Sequence, residues 1–133
     1  MTIPSYTKVL IVDPSLIFRR TLIELLQDIV VDVKFEEADT FDTAKDILNY
    51  EPMDLVFLDI ALPGNNGIDL IKSIKEILPN TIIVVITNND AAEYKEASRL
   101  HGADYFLSKE RAIGLRLVDV IHAAIPKKST AQS

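Results

Sequence analysis

The chain has 133 residues, a formal net charge of -6 (14 Lys+Arg against 20 Asp+Glu) and no cysteine. That length suits one domain, which can bury roughly two-thirds of its unfolded surface without help from a disulfide or a structural metal. Without cysteine there is no disulfide framework and no thiolate zinc or iron–sulfur site, and the acidic balance argues against a nucleic-acid-binding face.

The segment Met1 to Thr7 has neither a basic nor an apolar stretch of the signal-peptide kind. The apolar runs Val9 to Val12 and Ile82 to Ile86 fall far short of the ~20 residues that span a bilayer. The expectation is a cytoplasmic protein with no membrane contact.

In chain order, β-branched runs alternate with helical patterns. Val9 to Val12 is continuously apolar, as in a strand buried on both faces. Ser15 can cap a helix running to about Asp28, with Leu16, Leu22, Ile23, Leu25 and Leu26 as its apolar face. Val33 to Glu37 is half polar and reads as an edge strand. Asp39 or Thr40 caps a second helix through Leu48, with Pro52 beyond its end. Leu55 to Leu58 is a second central strand. A third helix starts near Gly67 and ends before Pro79.

Ile82 to Ile86 is a third central strand. A fourth helix covers about Asp90 to Leu100, with Gly102 placed to end it in a left-handed conformation. Tyr105 to Leu107 is the other edge strand. A last helix spans roughly Ala112 to Ile125 and stops at Pro126. Five such alternations make a (βα)5 domain, an α/β doubly wound parallel sheet with helices on both faces. The domain is expected over residues 1–126, with 127–133 as a polar tail or the start of a linker.

In sheets of this kind the active crevice lies outside the carboxyl ends of the strands. Asp13 follows the first strand, Asp59 the third, Thr87 closes the fourth and Lys109 lies just past the fifth. Each alone has an ordinary explanation: a helix cap for Asp13, a strand-end residue for Thr87, a solvated surface lysine for Lys109. Together they describe a site. A carboxylate can attack a phosphoryl group, a divalent cation held by carboxylates neutralises it, and an ammonium and a hydroxyl can hold its oxygens.

The stretch Leu55 to Gly67, with Asp59, Pro63 and Gly67 in register, resembles the phosphoacceptor segment of response-regulator receiver domains, the CheY-like superfamily. Ile82 to Thr87 resembles the strand that carries the family's switch hydroxyl. Gly102 to Lys109 resembles its Gly-Ala…aromatic…Lys segment. The resemblance covers about residues 8 to 125. It implies strand order 2-1-3-4-5, Asp59 as phosphoacceptor, and Asp13, Asp59 and the Ala61 backbone carbonyl around a magnesium ion. It further implies that Lys109 contacts the phosphoryl group, that Thr87 moves to bond it, and that Phe106 is the aromatic switch residue. The spacing of Phe106 alone favours an edge-strand core residue. The implied partners are a sensor histidine kinase or phosphotransfer protein and a downstream effector, with a homodimer left open.

The sequence departs from that family at Asp13-Pro14, where two adjacent acidic residues are usual. Proline has no ligating side chain, so magnesium should bind weakly. Proline is also a favourable first-turn residue. Glu110 follows Lys109 where many members have a cis proline, so a trans bond is expected. Ala61 and Asn89 occupy the loop positions that flank the acyl phosphate in the family. The alternative function is therefore a degenerate receiver that acts as a protein-interaction module without phosphorylation. A phosphatase of the haloacid dehalogenase type would need an acid two residues past the nucleophile, and Ala61 stands there. A flavin carrier would want a hydroxyl- and glycine-rich loop after the first strand, which Asp13-Pro14-Ser15-Leu16 is not. The chain is not expected to be an enzyme.

Overall fold

The computed structural model describes residues 6–63, 66–89, 91–112 and 115–124. Five parallel strands, β1 (Thr7–Val12), β2 (Val33–Ala38), β3 (Leu55–Leu58), β4 (Ile82–Thr87) and β5 (Tyr105–Ser108), form one sheet in the order β2-β1-β3-β4-β5. The helices are α1 (Leu16–Ile29), α2 (Phe41–Tyr50), α3 (Gly67–Ile77), α4 (Ala92–His101), the single turn α5 (Lys109–Ala112) and α6 (Leu115–Ala124). Among the described residues no helix is long and apolar enough to cross a membrane.

The period-two alternation of a strand splits the core into two layers. Leu10, Val12, Val56, Leu58, Ile83 and Val85 face α2 and α3, with Ala44, Leu48, Leu70, Ile71 and Ile74 packed on them. Val9, Ile11, Leu55, Phe57, Val84 and Ile86 face the other way, onto Leu22 and Leu26 of α1 and Leu117, Val120 and Ile121 of α6. Because β1, β3 and β4 are covered on both faces, their sequences are nearly unbroken apolar runs. At the carboxyl edge, β1 and β3 each stop one residue before an aspartate, and β4 ends on Thr87.

Helix starts follow from local chemistry. Ser15 Oγ accepts from the Phe18 N–H at 3.1 Å, and Thr40, rather than Asp39, caps α2 through the Thr43 N–H at 3.1 Å. Asn66 caps α3 by accepting from the Ile68 N–H at 2.8 Å. Gly102 ends α4 at φ 119°, the left-handed conformation expected of it.

Two expectations are corrected. Leu16 is 54% exposed and does not belong to the apolar face of α1. At about 100° per residue it stands roughly 120° around the helix from the buried Leu22. The region after β5 also differs, because Lys109 itself opens a turn of helix instead of a loop leading to Ala112. Ser108 Oγ accepts the Glu110 N–H at 3.3 Å, so the strand's last residue caps this turn. The described part of the last helix then runs Leu115–Ala124. The Lys109–Glu110 peptide is trans, as expected. Gly64, Asn65, Asp90, Ile125, Pro126 and the tail 127–133 lie outside the described residues.

Candidate phosphoryl site at the strand rim

The parallel ladder continues one step past the strands. The Asp13 N–H donates to the Ala38 carbonyl at 3.0 Å, and the Asp59 N–H donates to the Val12 carbonyl at 2.9 Å. Those bonds seat the two aspartates side by side at the carboxyl edge, where the chain order breaks between β1 and β3. Asp13 is 1% exposed, Asp59 5% and Thr87 0%.

Each carboxylate is divided between an oxygen held by N–H or O–H donors and one turned to a cation. Asp13 Oδ1 accepts the Ser15 N–H at 2.8 Å. Asp59 Oδ1 accepts the Ala61 N–H at 2.9 Å and the Thr87 hydroxyl at 2.7 Å. The two Oδ2 atoms turn to one cation: Lys109 Nζ stands 2.9 Å from each. Asp13 Oδ2 makes this ion contact without hydrogen-bond geometry, so a buried anionic oxygen keeps unfilled lone pairs. The four strand-end residues singled out in the sequence therefore converge in one pocket.

Phe106 is not part of that contact set. It is half-buried on β5 and packs against the core layer beneath α2 and α3. Ala61 enters through its backbone N–H, with its side chain exposed. The loop from Asp59 is closed by Gly67, whose N–H donates to the Ile60 carbonyl at 3.0 Å. A Cβ on Gly67 would lie 2.5 Å from Ile60 Cα, so the glycine is a packing requirement.

The site also uses residues that the strand-end rule did not find. The ring of Phe18 covers Lys109, with Nζ 4.5 Å from its centroid. Arg19 donates through Nη1 to the Asp13 carbonyl at 2.7 Å and through Nε to Glu37 Oε1 at 2.9 Å. Arg20 Nε lies 3.2 Å from Glu37 Oε2 on the outside.

Two carboxylates against one ammonium leave the pocket net negative. Burial pushes the Asp13 carboxyl above its ordinary range, and repulsion from Asp59 adds to that. The Lys109 ammonium and the Ser15 N–H oppose it only in part. Burial is also the largest single influence on Lys109 and works against its charge. The ion pairs with Asp13 and Asp59 outweigh it, and the ammonium is held above its ordinary value. Burial likewise disfavours the Glu37 carboxylate, but Arg19 and Arg20 hold it below the usual range.

The donor set suits a hard cation: two anionic oxygens, one of them short of hydrogen bonds. It is a sparse set. Among the described residues no three His, Cys, Asp or Glu side chains are grouped to hold a metal, and Pro14 offers none.

A doubly wound parallel sheet with an acidic pocket at its switch point defines the class. The chain belongs to the response-regulator receiver family of two-component systems, whose model, the response regulator receiver domain, matches residues 9–121. The Fimbriae Z protein of Salmonella typhimurium is 36% identical over 106 residues, which cover 77% of this chain and 49% of that protein. The chain thus spans about half the length of that curated relative. Among solved structures, a CheY-like response regulator receiver domain protein from Methanospirillum hungatei superposes with a TM-score of 0.80 at 22% identity, covering 90% of this chain and 93% of that one. A Burkholderia pseudomallei response regulator, solved with a phosphorylated aspartic acid, a calcium ion and citrate, gives 0.76 at 22% identity, covering 94% and 69%. At these identities the structures speak to the fold.

Proposed function

We propose that this chain is a phosphoryl-accepting receiver of a cytoplasmic phosphorelay, taking the group onto Asp59 from a sensor histidine kinase or phosphotransfer protein. The observation that carries this reading is the convergence of Asp13, Asp59, Thr87 and Lys109, with two carboxylate oxygens turned to one ammonium. Asp59 Oδ1 is engaged by two donors, which leaves Oδ2 as the nucleophile. Its lone pair forms the new P–O bond while the P–N bond of a phosphohistidine breaks. The imidazole leaves with that electron pair and takes up a proton. Lys109 follows the negative charge from Oδ2 to a phosphoryl oxygen, and the Thr87 hydroxyl turns from Oδ1 to another.

Asp13, Asp59 and the Ala61 carbonyl are the residues that would hold magnesium, which when bound neutralises charge on the incoming group. The Burkholderia pseudomallei neighbour, which carries a phosphorylated aspartic acid and a calcium ion on this fold, supports the reading by analogy. The output surface is the face of α4, β5 and α6, where Phe106 lies. A downstream effector must distinguish its two states by a few kcal/mol of binding energy.

Pro14 favours a second reading, a degenerate receiver that binds partners without phosphorylation. The pocket has one carboxylate fewer to attract a metal, and Lys109 already offsets half of the charge of the two that remain. Intact-mass measurement after incubation with acetyl phosphate and magnesium separates the two. The first reading requires one added phosphoryl group, lost in Asp59→Asn. An unmodified wild-type chain with a retained partner interaction selects the second.

A further inference from the structure

A lysine side chain is a flexible four-carbon stem that loses rotamer freedom when fixed. In this pocket the two carboxylates hold the ammonium of Lys109 at 2.9 Å each. The ring of Phe18 also lies over it, with its centroid 4.5 Å from Nζ. The negative face of an aromatic ring attracts a cation at this range, more strongly when water is kept away. Phe18 is itself well seated. It is half-buried against the core layer beneath α1 and α6, and its N–H is bound by the capping hydroxyl of Ser15. It lines the same cleft as Asp13 and Asp59.

We propose that Phe18 is a positioning residue, its ring face fixing the Lys109 ammonium over the paired Oδ2 atoms of Asp13 and Asp59. The consequence for phosphoryl transfer rests on the function proposed above; the contact itself does not. The ring adds a third contact to the cation besides the two carboxylates. It thereby couples the first turn of α1 to the residue that directly follows β5. A leucine at position 18 would fill similar space and leave the ammonium free to wander toward solvent.

The test replaces Phe18 with a series of ring-fluorinated phenylalanines, which weaken the face charge stepwise at nearly constant shape. Two quantities are read: the thermal midpoint, and the rate at which acetyl phosphate with magnesium labels Asp59. Both should fall in proportion to fluorination, the rate by about two- to fivefold across the series. Phe18→Tyr should restore both, and Phe18→Leu should not. The same fluorinated residues at Phe35, half-buried against the same core layer, are the control and should leave the rate flat. A Lys109→Met background should remove the slope of the midpoint at position 18. Where that variant does not fold, the Phe35 control carries the comparison. A flat series at position 18, or a Phe18→Leu chain equal to wild type in both readouts, overturns the proposal. If wild type takes no label while the midpoint still follows fluorination, the contact stands and the phosphoacceptor reading falls.

Discussion

Thr87 and Asp59 are joined by a 2.7 Å hydrogen bond from Oγ1 to Oδ1, between two side chains that are both buried. The hydroxyl also accepts the Asn89 N–H at 3.1 Å, so it is held at both ends. Motion of Thr87 toward a phosphoryl oxygen must therefore begin by giving up a charge-assisted bond. Thr87→Val keeps the shape and removes the donor. It should cost about 2 kcal/mol of stability, the usual worth of a hydrogen bond to a charged group, read from the urea midpoint. Thr87→Ser should retain most of that. An unchanged midpoint in Thr87→Val would show that the bond contributes nothing.

The loop after Asp59 offers a second test. A Cβ at Gly67 meets the backbone of Ile60 at 2.5 Å, and backbone cannot swing aside as a side-chain tip can. Gly67→Ala should destabilise by about 1–3 kcal/mol, as overpacking does. It should also disturb the Ala61 N–H bond that fixes Asp59 Oδ1, visible as a shifted Ala61 amide resonance. A variant as stable as wild type, with that resonance in place, contradicts the packing argument.

Asp13 should be a stability cost that the site tolerates. Its folded carboxyl lies above the ordinary 3.8, because burial and then Asp59 disfavour the charge. A carboxyl raised on folding binds more protons in the native state, so stability falls as pH rises through the window above 3.8. Below that window both states are protonated and no cost arises. Above the folded value the cost is complete and constant. Asp13→Asn keeps an oxygen for the Ser15 N–H and removes the charge. It should match wild type in acid and exceed it in thermal midpoint near neutral pH, while binding divalent cations less well. A wild-type protein more stable than Asp13→Asn at neutral pH would reverse the sign and sink the argument.

Most of the frame was legible because burial on both faces leaves an unmistakable trace. Val9 to Val12, Leu55 to Leu58 and Ile82 to Ile86 are apolar at every position, and each is a central strand. The first polar residue after each run marks the rim, which is how Asp13, Asp59 and Thr87 stand out. What the sequence concealed depends on distance in space between residues far apart in the chain. Nothing near Phe18 signals that Lys109 will lie under its ring, or that Arg19 will reach the Asp13 carbonyl. The misplacement of Leu16 has a different origin. Apolar residues crowd both sides of the first turn of α1, and composition there does not say which side faces the sheet. Lys109 opening a helix was missed because a charged run after an edge strand carries no periodicity, although Ser108 was the cap in plain view.

Pro14→Asp should tighten magnesium binding about tenfold. Pro14 is exposed at the lip of the pocket, directly after Asp13, and supplies no ligand. At an effective dielectric near 20, a unit charge and a divalent ion ~4 Å apart interact by roughly 8 kcal/mol before desolvation. Stripping water from carboxylate and ion cancels most of that. A net gain on the order of 1–2 kcal/mol remains, or about tenfold in affinity. The new charge would also draw on Lys109, which already balances two carboxylates at 2.9 Å, so the divalent ion takes over part of the lysine's task. Labelling of Asp59 by acetyl phosphate should accelerate with the affinity. The variant should lose some stability as well, since proline restricts the unfolded chain. Magnesium titrations of both proteins, followed by intact-mass measurement of the labelling rate, check each part. Equal affinities would mean that a group other than the residue at position 14 completes the metal's shell in the wild-type pocket.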